Sequence, residues 1–170
     1  MAIPQFTAGQ VLTAAELNAM VDAINAGGAV KVERFTASGT FTPPAGVTYA
    51  VAHIRAGGGG ISSSSGDGGT SSVAFASGTI SATGGEAMTE QVFNGASTRN
   101  AGAANSGNGA ISINTGTGFN IFGQNGAEIV GGAAVTAGVG ITVTVGAGGV
   151  AGTNGTAGGS GYVYIEYSGG

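Results

Sequence analysis

Apolar positions near the front of the chain recur with helical spacing. In the stretch LTAAELNAMVDAINAGG, Leu17, Met20, Val21 and Ile24 fall at i, i+3, i+4 and i+7, one face of a helix. Thr13 is placed to cap it, and Glu16 three residues later completes a capping box. Gly27 and Gly28 supply the stop. A helix of about 13 residues is marginal in water by itself. Its stripe of Leu17, Met20, Val21 and Ile24 must therefore be buried, either by docking on its own domain or, as preferred, by self-association or docking on a larger assembly. Leu17, Val21 and Ile24 also fit a short a/d seam, too brief to specify an oligomer alone.

After Gly28 the period changes to two. AVKVERF alternates Val30, Val32 and Arg34 against Lys31, Glu33 and Phe35. Thr40 to Thr42 reads as a short strand, Pro43, Pro44 and Gly46 as a turn, and Val47 to Ala56 as a longer strand, together a hairpin-like pair. Tyr49, Val51, His53 and Arg55 share one face of that longer strand, while Ala50, Ala52 and Ile54 share the other. TSSVAFASGTISATGG predicts two short strands around Ser77-Gly78, and EQVFNGAS, AISINTG and GFNIFGQNG are further candidates. Gly140 to Val145 and GYVYIEY predict the last strands. Asn-Gly pairs at 94–95, 108–109, 125–126 and 154–155 carry a hairpin signal. The reading is an all-β, antiparallel, sandwich-like domain over residues 29–170, preceded by a short helical segment over residues 1–28.

Glycine complicates that picture. The strand ending at Ala56 runs straight into GGGG, and glycine recurs to the end, 37 times in 170 residues. There is no Gly-X-Y period, which excludes collagen. A glycine inside a regular element costs roughly 0.5–1 kcal/mol relative to alanine, so the fold must need these residues. Two explanations stand: segments that pack backbone to backbone with lateral hydrogen bonds, and solvated loops on a rigid β-scaffold. Both place the glycines at a sheet end, where binding loops sit. GGGG lacks the Lys-Ser/Thr of a phosphate-binding loop and the strand-to-helix setting of a dinucleotide site.

Composition narrows the function classes. Charged residues make up 7% and the net charge is −4. The four basic residues, Lys31, Arg34, Arg55 and Arg99, form no stripe, which argues against nucleic acid. Cysteine is absent, and no signal peptide or membrane span is legible. With one histidine, His53, a catalytic triad or common zinc site cannot be built in one chain. His53 reads as a structural or interface residue. Glu86 and Glu90 are four apart and Asp67 sits in GDGG, but glycine surrounds them and no tryptophan offers a sugar platform. No enzyme activity, cofactor or metal is expected.

Specific segments carry a resemblance. FTASGTFTPPAGVTYAVAHIRAGGGG near the start and GGSGYVYIEY at the finish resemble the glycine-rich domain near the C-termini of bacteriophage tail fibres. GGTSSVAFASGTISATGG and VTAGVGITVTVGAGG are similar to internal segments of that domain, in reversed order. PQFTAGQVLTAAELNAMVDAIN resembles N-terminal segments of small phage virion proteins. The resemblance implies a non-enzymatic virion fibre protein, made in the host cytoplasm, homotrimeric, and in contact with a host-surface receptor such as a polysaccharide. Residues 1–28 would then attach it to another virion structural protein. Phe119, Phe122, Asn105 and Asn108, in the polar middle of the chain, are the candidate receptor contacts. A head fibre or capsid decoration protein with a structural role is the alternative.

Overall fold

A computed structural model of the chain describes residues 13–15, 17–18, 21, 29–61, 65–88, 97–100, 102, 106–114, 120–151 and 155–169, with backbone alone for 97–100, 111–114 and 120–122. Eleven strands are present among them. They are β1 (Val30–Phe35), β2 (Gly39–Phe41), β3 (Tyr49–Arg55), β4 (Ser71–Phe75), β5 (Gly78–Ala82), β6 (Ser97–Asn100), β7 (Ile111–Asn114), β8 (Asn120–Phe122), β9 (Glu128–Ala134), β10 (Ile141–Thr144) and β11 (Tyr162–Ser168). One sheet has the order β1–β11–β3–β9 and a second β2–β10–β4–β5; β6–β7–β8 form a third, small sheet. All pairings are antiparallel. The domain is therefore all-β, as the period-two pattern indicates.

The two larger sheets pack face to face. Ala50, Ala52, Ile54, Val163 and Ile165 of the first meet Phe41, Val73, Val143, Ile141 and Phe75 of the second, all buried. These are the alternate positions of each strand, so the core follows directly from the pleat. Fully burying one Val or Ile side chain contributes about 1.5–3 kcal/mol. The outward positions of the second sheet are almost all hydroxylic: Thr40, Ser72, Thr79, Ser81, Thr142 and Thr144, with Ala74.

Two expectations need correction. β2 and β3 are not a hairpin; β2 pairs with β10, and β3 pairs with β11 and β9. The Pro43-Pro44 step between them has no N–H to give to a ladder. With Pro43 buried, it carries the chain from one sheet to the other. The Asn-Gly pairs at 108–109 and 125–126 do not turn hairpins either. A type I′ turn needs positive φ at both residues, and the described glycines with positive φ are Gly46, Gly78, Gly107, Gly138 and Gly169. Ser77-Gly78 does turn the β4–β5 hairpin. Asn94 and Asn154 lie outside the described residues.

At the front, Ala14, Ala15, Leu17, Asn18 and Val21 are helical, and the Leu17 N–H donates to the Thr13 carbonyl at 3.1 Å. A carbonyl that accepts the first helical bond is what an N-cap residue supplies. Leu17 and Val21 are exposed. Met20, Ile24 and Glu16 lie outside the described residues.

The glycine segments are a packed bundle. Gly57–Gly60 continue β3 and run buried along the centre. The N–H groups of Gly57, Gly58 and Gly59 donate to Gly69, Gly159 and Gln124, and that of Gly60 returns to the first neighbour at Gly66. Their carbonyls accept from Gly85, Gly149 and Ala110, and then from Met88, again on the first neighbour. A direction that repeats every third residue, with no bond inside the segment, is the geometry of an extended threefold helix. Six segments surround the centre in a closed ring: 66–69, 146–150, 157–161, 107–110, 123–126 and 84–88. Each is hydrogen-bonded to the next, through Gly69–Ala147, Gly158–Gly149, Gly159–Asn108, Gly126–Gly107, Gln124–Glu86 and Gly68–Gly85.

The four central glycines are needed for close approach. A Cβ at Gly57, Gly58, Gly59 or Gly60 would overlap the backbone of Ala147, Asn108, Glu86 or Val150, respectively. Ring segments admit side chains where they face water, at Asp67, Glu86, Asn108, Gln124, Asn125 and Ala147, all exposed. Gly58→Ala is therefore expected to destabilise the protein by at least about 1–3 kcal/mol, since backbone has no rotamer to yield. Gly39→Ala, whose Cβ would meet Phe35 at an ordinary 3.5 Å, should stay within about 0.5 kcal/mol. Urea unfolding of the two variants compares them.

Candidate functional site

The bundle sits at one end of the sandwich because six strands feed it. β3, β5 and β10 run into central or ring segments, and β4, β9 and β11 leave them. Ser71 fixes the junction. Its buried hydroxyl donates to the Arg55 carbonyl at 2.8 Å and accepts from the Gly146 N–H at 2.9 Å, tying the first sheet to the second where both become bundle. Beyond Gly60, Ile61 exchanges two 2.9 Å backbone hydrogen bonds with Thr156 and is fully buried. The sheet β6–β7–β8 also joins here, through Ile111 after Ala110 and Phe122 before Gly123.

β1 begins at the opposite end of the sandwich. Val30 pairs with Ser168, at the far end of β11 from the bundle, while Phe35 pairs with Val163 near it. The turns at 44–46, 76–77 and 137–138 lie at that same end, by the directions of β3, β4 and β10. The sandwich thus has one end where β1 begins and another that carries the glycine bundle.

Exposed acidic groups brace the bundle. Asp67 Oδ1 accepts from the Ala87 N–H at 2.7 Å, and Glu86 Oε2 accepts from Gln124 Nε2 at 3.2 Å, each linking adjacent ring segments. Asn125 Oδ1 accepts from the Gly109 N–H at 2.9 Å, a third such link. Glu90 lies outside the described residues. Among the described residues no group of three His, Asp or Glu side chains could hold a metal ion. His53 lies on the outward face of the first sheet, with Nε2 3.4 Å from Glu166. Beside it Arg55 Nη1 donates to Glu128 at 2.9 Å, its Nε without a partner, and the Arg34 guanidinium stands 5.4 Å from the centre of the Tyr164 ring.

Of the candidate receptor contacts, Asn108 is exposed on the bundle, its carbonyl accepting from Gly159 at 2.8 Å and its N–H donating to Ser106 Oγ at 3.1 Å. Phe122 ends β8. Phe119 and Asn105 lie outside the described residues. Sequence reasoning missed Ser71. A serine opening an apolar strand just after GGT was the available signal.

The chain matches no family model, and no similarity to a curated protein or a solved structure was found.

Ser71→Ala should remove both junction bonds and leave the buried Gly146 N–H without its acceptor, at a cost of about 1–3 kcal/mol. Chemical denaturation measures it. Ser71→Thr, which keeps the hydroxyl, should recover part of the loss.

Proposed function

We propose that this protein is a non-enzymatic bacteriophage virion fibre protein, in the tail-fibre class, that contributes to host-surface recognition. It works as several copies, in a homotrimer. The observation that carries the reading is polarity: β1 begins at one end of the sandwich, at Val30, and the glycine bundle stands at the other. A fibre protein needs an attachment end and an outward end separated by a rigid body. The resemblance of the opening and closing strand–glycine motifs to phage tail-fibre domains supplies the biological setting. The bundle suits the body, because its hydrogen bonds are internal.

Residues 1–28 are assigned to attachment on another virion structural protein. A chain lacking them should still unfold cooperatively, because the core described in the sandwich is built from residues 41–165. It should also fail to join particles. Incorporation of the truncated chain into virions at the normal level would remove the assignment.

Host recognition is assigned to the polar middle of the chain, including residues 89–96 and 115–119, with a surface polysaccharide as the first candidate receptor class. Exchanging 89–96, or replacing Phe119 with Ala, should lower phage adsorption while moving stability by no more than about 0.5 kcal/mol. Unchanged adsorption in both, with unchanged melting, would favour the head-fibre alternative, in which the protein is a structural decoration.

A further inference from the structure

The sandwich has two outward faces of opposite character. That of the second sheet is hydroxylic, as described above. That of the first sheet carries Val30, Val32, Tyr49 and Val130, each more than half exposed. Between them lie Val51, Tyr162 and Tyr164, half-buried on the same face by register. Sheets with one face in water read apolar inside and polar outside. The second sheet obeys this and the first does not. Exposed valines grouped with tyrosines and arginines have the composition of an interface core. A shallow depression of about 170 Å³ lies on this face, lined by Val30, Tyr49, Val51, Glu166, Tyr167 and Ser168.

We infer that the outward face of the first sheet is the surface through which copies of this chain associate. The inference deepens the multi-copy fibre reading and rests on it for its setting. Two observations select a second copy as the occupant. First, the face is balanced in charge, with Arg34 and Arg55 against Glu128 and Glu166, although the whole chain carries −4. In a trimer one part of such a patch meets a different part of the same patch on the neighbouring copy, and a patch holding both signs can do so with opposite charges facing. A strongly charged partner would leave half of these groups unmatched. Second, Leu17 and Val21, which precede β1 in the sequence, are exposed as well, so the chain offers more than one apolar surface that assembly with a second copy would cover.

The experiment uses the purified full chain in sedimentation equilibrium, with the pair V32K and V130K and the control T142K on the hydroxylic sheet. All three positions are exposed, so melting should be unchanged. The pair should weaken self-association by at least about tenfold, and the control should not. A full chain that stays monomeric through the micromolar range, or a double variant that associates like the unsubstituted chain, would overturn the inference. Because the chain has no cysteine, V32C and T142C give a second readout. Thiol labelling of V32C should slow as protein concentration rises, and labelling of T142C should not. Protection of V32C at every concentration in a monomer would mean that the chain's own N-terminal segment folds back on the face, which also overturns it. The fibre reading is tested separately, by particle incorporation and adsorption. A monomer that still joins virions would sink this inference and the homotrimer with it, and leave the attachment of residues 1–28 to the virion standing.

Discussion

The backbone hydrogen bonds of Gly57–Gly60 are the constraint on which the rest of the molecule depends. Four consecutive N–H groups and four carbonyls are withdrawn from water, and every one is paired with a different residue. Leaving one buried amide unpaired would cost about 1–3 kcal/mol. The central segment therefore has to be surrounded completely or not at all. A ring with one member missing would leave donors or acceptors facing a gap. This makes the bundle an all-or-none unit, even though its members are spread from residue 57 to residue 161.

Such a bundle has almost no apolar side chains with which to drive its own assembly. Its glycines carry an entropy cost of roughly 0.5–1 kcal/mol each relative to alanine. The sandwich offsets this by delivering six strand ends side by side, so the segments start in register. The hydrophobic effect organises the sheets, and the sheets organise the hydrogen bonds. Ser71 stands where one regime passes to the other, with one bond to each sheet.

The same division explains the low charge. A Cβ at most inner positions of a ring segment overlaps backbone, so side chains appear mostly outward, with Ala110 a buried exception. The acidic ones there take N–H partners on neighbouring segments, as Asp67 and Glu86 do. The resulting body is held together by internal hydrogen bonds without a large core of its own.

The sequence by itself determined the strands and their inward faces. Ile54, Val163 and Ile165 sit in the core because period-two alternation with bulky β-branched residues is a local property of the chain. It also marked the helical stripe at Leu17 and Val21 and the β4–β5 hairpin at Ser77-Gly78. Only the tertiary structure decided what the glycines are for. Packed threefold segments and solvated loops have the same composition, and the difference lies in partners up to a hundred residues away. The same holds for the Pro43-Pro44 crossing, which locally looks like a turn, and for the Asn-Gly steps at 108 and 125, which serve close approach rather than positive φ. It holds again for the outward face of the first sheet. Its valines and tyrosines sit at alternate positions on four strands distant in the chain, and they become one surface because β1, β11, β3 and β9 lie side by side.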